Sequence, residues 1–338
     1  MINREGGYFS FTAFIVILLL AALSTGLFLL QSASLLLEKR VTIKIPESDA
    51  DRLIEQMVMT KLDDETPDGD SSLDDFWRDF HEQTINGWTI KLEDLSSRPN
   101  LNLVDPEMLY RTDLKKYVSV TKTAEDFSGF RINNGFTLDP NDYQELFLGT
   151  EWISRFSVYG CGNINILPEE SLEIILEERN VDKSLAGVII EKRKSGYFTT
   201  ETFLELDESA GDSLFPLANT EAGFNVNTMD EYTLQVVFEY VWGKQEGSHF
   251  SYLDKKGRIL NDRTYREIGP EELTGILGLE DSLKEIYQYL GTKTWFWKVN
   301  MTGFDKRITW VLVRRPSASK NGEDSYQIIS KHVEKEKP

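Results

Sequence analysis

Thirty consecutive residues, Tyr8 to Leu37, carry no formal charge, and any fold proposed for this chain has to accommodate them. The densest part, Phe11 to Leu30 (FTAFIVILLLAALSTGLFLL), would extend roughly 30 Å as a helix at about 1.5 Å per residue, which matches the hydrocarbon thickness of a bilayer. This predicts a transmembrane helix. Flanking charges do not set its orientation, because Glu5 offsets Arg4 and Glu38 offsets part of Lys39-Arg40.

Three readings fit the segment. A cleavable secretory signal has an apolar region of about 7–15 residues before a small-residue site; Ser32-Ala33-Ser34 supplies the site, but the run before it is too long. An uncleaved signal anchor fits the length and adds no chemistry. The third reading rests on Met1-Ile2-Asn3-Arg4-Glu5-Gly6-Gly7 ahead of Tyr8: a short charged leader, a glycine, an aromatic residue, then an unbroken apolar run. That order resembles the leader of type IV pilins and pseudopilins. The resemblance implies cleavage between Gly7 and Tyr8 by a prepilin peptidase, with glycine letting the protease take an extended backbone free of side chain. It makes Thr12 the fifth mature residue, where major subunits of the family carry glutamate. A subunit without that carboxylate is similar to the K subunit of the type II secretion pseudopilus (GspK family), which sits at the filament tip.

Beyond the anchor about 300 residues remain, enough for one large or two medium domains. A net charge of −19 argues against a nucleic-acid or anionic-membrane binder. The single cysteine, Cys161, forbids an internal disulfide and predicts a buried thiol. Two stretches are too polar for a core and are expected to be disordered: Asp63 to Asp75, and the tail after Arg315. Alternation over Val41 to Ile45 predicts an extended segment. Ser48 and Asp51 then open a short helix with Leu53, Ile54, Met57 and Val58 inward.

The main internal pattern is a repeat. Asn100-Leu101-Asn102-Leu103 precedes Asp105-Pro106-Glu107, Asn163-Ile164-Asn165-Ile166 precedes Pro168-Glu169-Glu170, and Asn225-Val226-Asn227-Thr228 precedes Met229-Asp230-Glu231. Each copy reads as an extended step feeding a helix start, with the asparagines bonding to turn backbone and fixing the angle of entry. In the first, Asp105 caps and Pro106 takes the first helical position. In the third, Thr228 and Glu231 are expected to form a capping box.

The middle copy opens a helical hairpin. Pro168 to Arg179 predicts one helix with Leu172, Ile175 and Leu176 inward; Leu185 to Lys194 predicts a second. This run resembles the helix-hairpin-helix class. DNA binding by it is opposed by the residues: the connection Asn180 to Lys183 has no glycine through which backbone amides could approach a phosphate, and Pro168 to Leu206 holds nine acidic residues against five basic. The same step and hairpin are similar to the helical domain of the K pseudopilins. Trp88 to Asn102, a predicted strand after an Asn86-Gly87 turn, and Phe156 to Gly160 resemble further parts of that family. Helical periodicity continues through Leu273, Ile276, Leu277, Leu283, Ile286 and Leu290. Trp295 to Met301 and Arg307 to Val313 predict an antiparallel hairpin closing the sheet begun near Trp88.

No catalytic constellation emerges. His81, His249 and His332 have no neighbour at metal-ligand spacing, and no nucleophile elbow, phosphate loop or dinucleotide fingerprint is present. Calcium is the one cofactor that the resemblance raises; Asp63, Asp64, Asp68, Asp70 and Asp74 are the candidate oxygens, although their spacing fits no EF-hand loop. The expected fold class is α+β: an N-terminal transmembrane helix and a small pilin-like antiparallel sheet with a large inserted helical domain that contains a helix-hairpin-helix-like region. The expected divisions are a leader (1–7), membrane and assembly helix (8–37), linker (38–75), first part of the core (76–105), insertion (106–292), closing hairpin (293–315) and polar tail (316–338). The resemblance implies a non-enzymatic, single-pass bacterial inner-membrane protein with its bulk in the periplasm. Its partners would be other minor pseudopilins, met through the N-terminal helix, and it would bind no nucleic acid. The alternative is a membrane-anchored helix-hairpin-helix protein of DNA-binding or competence type.

Overall fold

In a computed structural model, the described residues are 84–85, 87–199, 217–243, 249–278, 284–314 and 326–335, with scattered single positions between 52 and 77 and between 202 and 214. The leader, the apolar segment 8–37, Val41–Ile45 and the acidic segment 63–70 all lie outside them. The chain divides into two compact units, Met1–Val58 and Met59–Pro338, and the architecture below belongs to the second. Among the described residues no helix is long and apolar enough to cross a membrane.

In chain order the elements begin with β1 (Thr84–Ile85) and β2 (Trp88–Asp94), followed by α1 (Pro106–Arg111) and α2 (Ala124–Asn134). Next come β3 (Gly162–Asn163), α3 (Glu169–Glu178), α4 (Ser184–Arg193), β4 (Ala218–Asn219) and β5 (Phe224–Asn225). Helices α5 (Glu231–Gly243), α6 (His249–Asp262), α7 (Pro270–Leu277) and α8 (Lys284–Tyr287) lead to β6 (Leu290–Gly291). The chain returns through β7 (Phe296–Gly303), β8 (Lys306–Arg314) and β9 (Tyr326–Lys335).

The fold is α+β. Strands β1-β2-β7-β8-β9 form one antiparallel sheet, with Ile90 opposite Met301 and Val299 opposite Trp310. All the helices just named fall between β2 and β7. One sheet face is apolar because the period of two puts Trp88, Ile90, Leu92, Val299, Met301, Ile308 and Trp310 on the same side, and each is buried. Trp77 packs its ring 4.8 Å from that of Trp297. The opposite face is divided. Near the inserted region it buries Phe296, Val311 and Val313 with Leu172, Ile175 and Ile189 of the helices, and farther along it presents Lys91, Arg307 and His332 to solvent.

Three local expectations are corrected. The β7–β8 connection is a two-residue turn, not five, with Phe304 and Asp305 both at positive φ, 52° and 59°. The tail after Arg315 is not polar coil throughout: Tyr326–Lys335 adds a fifth strand, since Ile328 and Val333 lie opposite Leu312 and Ile308 and give the segment an apolar side. Thr228 does not cap α5. Its hydroxyl donates to the buried carboxylate of Asp94, and Asp230 Oδ1 instead accepts from Thr233 N at 2.6 Å. Capping elsewhere follows side-chain chemistry: Asp105 Oδ1 accepts from Glu107 N at 2.9 Å with Pro106 behind it, and Thr123 with Asp126 forms a capping box on α2.

Candidate functional site

The inserted region is built from one turn used three times. In each copy the side-chain oxygen of the first asparagine accepts from the backbone amide of the second, at 2.9 Å in Asn100/Asn102 and 3.0 Å in both Asn163/Asn165 and Asn225/Asn227. The first asparagine's carbonyl then takes two amides, those of Leu103 and Val104, of Ile166 and Leu167, and of Thr228 and Met229. The chain is thereby wound into a helical start at Pro106, Glu169 and Glu231, at the same offset each time.

The second asparagine reaches across each module. Its amide pairs with both backbone groups of one distant residue, as a neighbouring strand would: Asn102 with Thr137 (3.1 and 2.8 Å), Asn165 with Phe198 (2.7 and 3.2 Å), and Asn227 with Ile268 (2.8 and 3.0 Å). A short parallel contact then closes the module. Asn100 bridges to Ser157, β3 pairs with β4, and β5 pairs with β6. All six asparagines are buried, so each unmade bond would leave a desolvated polar group.

Three arginines complete the pattern, and sequence reasoning missed them. Arg131 donates from Nε to Leu101 O at 2.7 Å and from Nη2 to Val104 O at 2.6 Å. Arg193 donates to Leu167 O at 2.6 Å and to Ile164 O. Arg263 donates to Val226 O at 3.0 Å and Met229 O at 2.6 Å. In every module the guanidinium gathers the same two turn carbonyls, the one after the first asparagine and the one three residues later. The available signal was an arginine six, five and five residues ahead of Thr137, Phe198 and Ile268. Burial pushes the pKa of Arg193 down to about 10, which still leaves it charged at neutral pH.

The modules meet the sheet at a polar neck. Asp94 Oδ1 accepts from Ser96 N at 2.7 Å and its Oδ2 from Thr294 Oγ1 at 2.9 Å, while Ser96 Oγ accepts from the amides of Trp295 and Phe296, both at 2.9 Å. The chain's entry to and exit from the insertion are thus tied together. Tyr232 lies between Lys116, 4.4 Å from its ring centre, and Arg155, 5.1 Å away, joining the third module to the first.

Between the first and second turns, and beside Phe224 just ahead of the third, is a cleft of about 70 Å³, lined among others by Arg98, Val104, Met108 and Cys161. Cys161 is half-buried, with Asn219 Nδ2 at 3.1 Å from its sulfur, and burial pushes the thiol well above its usual pKa. A thiol so disposed stays protonated and is a poor nucleophile. Among the described residues no group of three or more His, Cys, Asp or Glu is placed to hold a metal ion.

The hairpin between α3 and α4 engages several of its amides within itself. Asn180 N donates to Glu177 O, Val181 N to Leu176 O, and Ser184 N to Asp182 Oδ1, so these three donors are used inside the turn. The proposed cleavage residues Gly7 and Tyr8, the fifth mature residue Thr12, and the calcium candidates Asp63, Asp64, Asp68, Asp70 and Asp74 lie outside the described residues.

No family model and no curated protein matches the chain. Among solved structures, a chain in the crystal structure of the GspK-GspI-GspJ complex from the type 2 secretion system of enterotoxigenic Escherichia coli is similar, at 12% identity and a TM-score of 0.31, over 90% of this chain and 99% of that one.

Proposed function

We propose that this chain is a non-enzymatic minor pseudopilin of a type II secretion system, anchored once in the bacterial inner membrane with its bulk in the periplasm. It joins other minor pseudopilins through its N-terminal helix and starts the filament that drives protein export. The observation that carries this reading is the Gly7-Tyr8 step directly before thirty uncharged residues. Thr12 favours the tip, since a side chain without a carboxylate cannot pair with the terminal amine of a subunit above it. The architecture fits this reading: six buried asparagines are engaged in holding three turns closed. No resident cofactor is assigned.

The second reading, a membrane-anchored DNA-binding helix-hairpin-helix protein, meets two obstacles. The connection between α3 and α4 has no glycine and uses the amides of Asn180 and Val181 inside the turn, and the residues around it are predominantly acidic. Replacement of Gly7 by a larger residue, in cells carrying the prepilin peptidase, tests the proposal. Wild type should yield a mature chain starting at Tyr8 by mass spectrometry, and the variant should keep its leader. A wild-type chain beginning at any other residue would remove the basis for the assignment. Detergent extracts should also carry pseudopilin partners, whereas salt-sensitive retention on DNA would favour the second reading.

A further inference from the structure

We propose that the cleft between the first and second turns docks an extended segment of a partner protein, taking one small branched aliphatic side chain, of the leucine or valine kind, together with a flanking peptide carbonyl. The proposal stands whether or not the chain is processed at Gly7. The floor of the cleft is apolar, lined by Leu103, Met108, Ile166, Leu167 and Phe224. Its volume of about 70 Å³ holds about five water-sized atoms, which suits an isobutyl group and is too small for an indole.

The polar groups lining the cleft are left with donors. Ser96 is 6% exposed; its hydroxyl oxygen accepts from the amides of Trp295 and Phe296, and its own hydrogen meets no acceptor among the described residues. Gly160 is buried, and its backbone amide has no partner there either. Orphaned buried amides are rare, because each costs about as much as a lost hydrogen bond. Glycine at 160 and 162 adds no side chain of its own that would keep a ligand off this backbone. At the rim, Gln288 Oε1 accepts from Asn165 Nδ2 at 3.0 Å, which leaves Gln288 Nε2 as a third donor without a partner among the described residues. Oxygens facing the cleft are already engaged: Asp105 accepts from Glu107 N and from the Tyr240 hydroxyl, and Asn100 Oδ1 accepts from Asn102 N. An occupant therefore has to bring acceptors and apolar bulk. The charges favour a neutral acceptor, since Arg98 is paired with Glu93 and Asp105 adds a second carboxylate that repels an anion. A peptide carbonyl beside an aliphatic side chain has this make-up.

The test is methyl NMR of the full chain in nanodiscs, with isotope-labelled methionine ε-methyls and the Met108 signal assigned through Met108→Leu. N-acetylleucinamide is the probe, and it should shift the Met108 signal saturably. N-acetylglycinamide, which lacks the side chain, should bind about tenfold more weakly or worse. N-acetylleucine, with the same side chain and a carboxylate, should also bind more weakly than the amide. Gln288→Glu keeps an oxygen toward Asn165 and loses the donor, so it should weaken N-acetylleucinamide by about fivefold. Unchanged exchange at the Phe198 amide, which donates to Asn165 Oδ1, shows that the second module stays closed in this variant. Absence of a saturable shift at Met108 in the wild-type chain overturns the proposal. Equal binding of the glycine and leucine amides overturns it as well, leaving polar contacts alone, and tighter binding of N-acetylleucine overturns it in favour of an anion site. Undiminished binding by Gln288→Glu does the same, because the donors would then not be what selects a carbonyl.

Discussion

Arg131 donates from Nε to the carbonyl oxygen of Leu101 at 2.7 Å in a site where the arginine is wholly removed from solvent. Its other donors go to Val104 O and Ser171 Oγ, and its guanidinium lies 4.7 Å from the centre of the Phe127 ring. Burial pushes its pKa down, and the guanidinium offsets that cost by donating to two turn carbonyls, Leu101 O and Val104 O. Arg131→Met should therefore orphan both and destabilise the chain by about 3 kcal/mol. Arg193→Met and Arg263→Met, at half-buried positions where water can replace the donor, should cost about 1 kcal/mol each. Urea midpoints of the three variants in detergent check the ranking; equal losses would show that burial does not set it.

Asn165 can be probed by charge. Its Nδ2 donates to Phe198 O at 3.2 Å and to Gln288 Oε1 at 3.0 Å, so Asn165→Asp points an oxygen at two acceptors. The new carboxyl should have a folded pKa above its unfolded value, because only its protonated form can donate. The sign follows from linkage: the penalty is present at neutral pH and shrinks as pH falls through that raised value. Melting temperature should therefore drop relative to wild type at pH 7 and partly recover at pH 5. A deficit that does not change between the two would show that the carboxylate finds another partner.

The parts of this fold legible in the sequence are those set by local pattern. Trp88 to Asp94 alternates and is a strand; Leu172, Ile175 and Leu176 share a face and are buried. Asn100, Asn163 and Asn225 were visible as a repeat because each is followed two residues on by a second asparagine. Arg131 was not visible, because its partners Leu101 and Val104 lie about thirty residues earlier and nothing in an isolated helix says where a guanidinium will reach. Thr228 misled for a related reason: the competing acceptor, Asp94, is distant in the chain. The strand at Tyr326–Lys335 was hidden by composition, since Lys331, His332 and Glu334 are what an exposed edge strand carries.

Tyr143 predicts alkaline behaviour. Burial pushes its phenol up to about 12, and its hydroxyl donates to Asn102 Oδ1 at 3.0 Å within the first module. A phenol whose folded pKa exceeds the unfolded value of 10.0 contributes stability that is fully present below pH 10 and is lost as pH rises toward 12. Wild type should lose stability across that window, and Tyr143→Phe should lose less while costing about 1 kcal/mol at pH 8. Thermal melts at pH 8, 10 and 11.5 decide; parallel curves for the two proteins would remove Tyr143 as the cause.

The calcium question turns on Asp63, Asp64, Asp68, Asp70 and Asp74. Five carboxylates within a short acidic stretch repel one another, and without ligand spacing that closes round a cation they should bind calcium too weakly to stabilise the fold. Calorimetry of the full chain should show the same melting temperature with millimolar calcium as with chelator. A clear rise with calcium would instead assign a site to this segment.

Two glycines predict opposite signs from the same substitution. At Gly223, a Cβ would lie 2.6 Å from the backbone carbon of Leu290 and 2.8 Å from Gly291 N, where β5 and β6 pair to close the third module. Backbone on both sides cannot give way without breaking Phe224 N to Tyr289 O, so Gly223→Ala should cost about 2–3 kcal/mol. Gly187 sits inside α4, and a methyl group added there would have open space within 4 Å. There the glycine only adds backbone entropy to the unfolded chain, so Gly187→Ala should stabilise by about 0.5–1 kcal/mol. Exchange at the Val226 amide, which donates to Gly291 O at 2.9 Å, should speed up in the first variant and not in the second. If Gly223→Ala left that amide protected, the closeness of β5 and β6 would not be what holds the module shut.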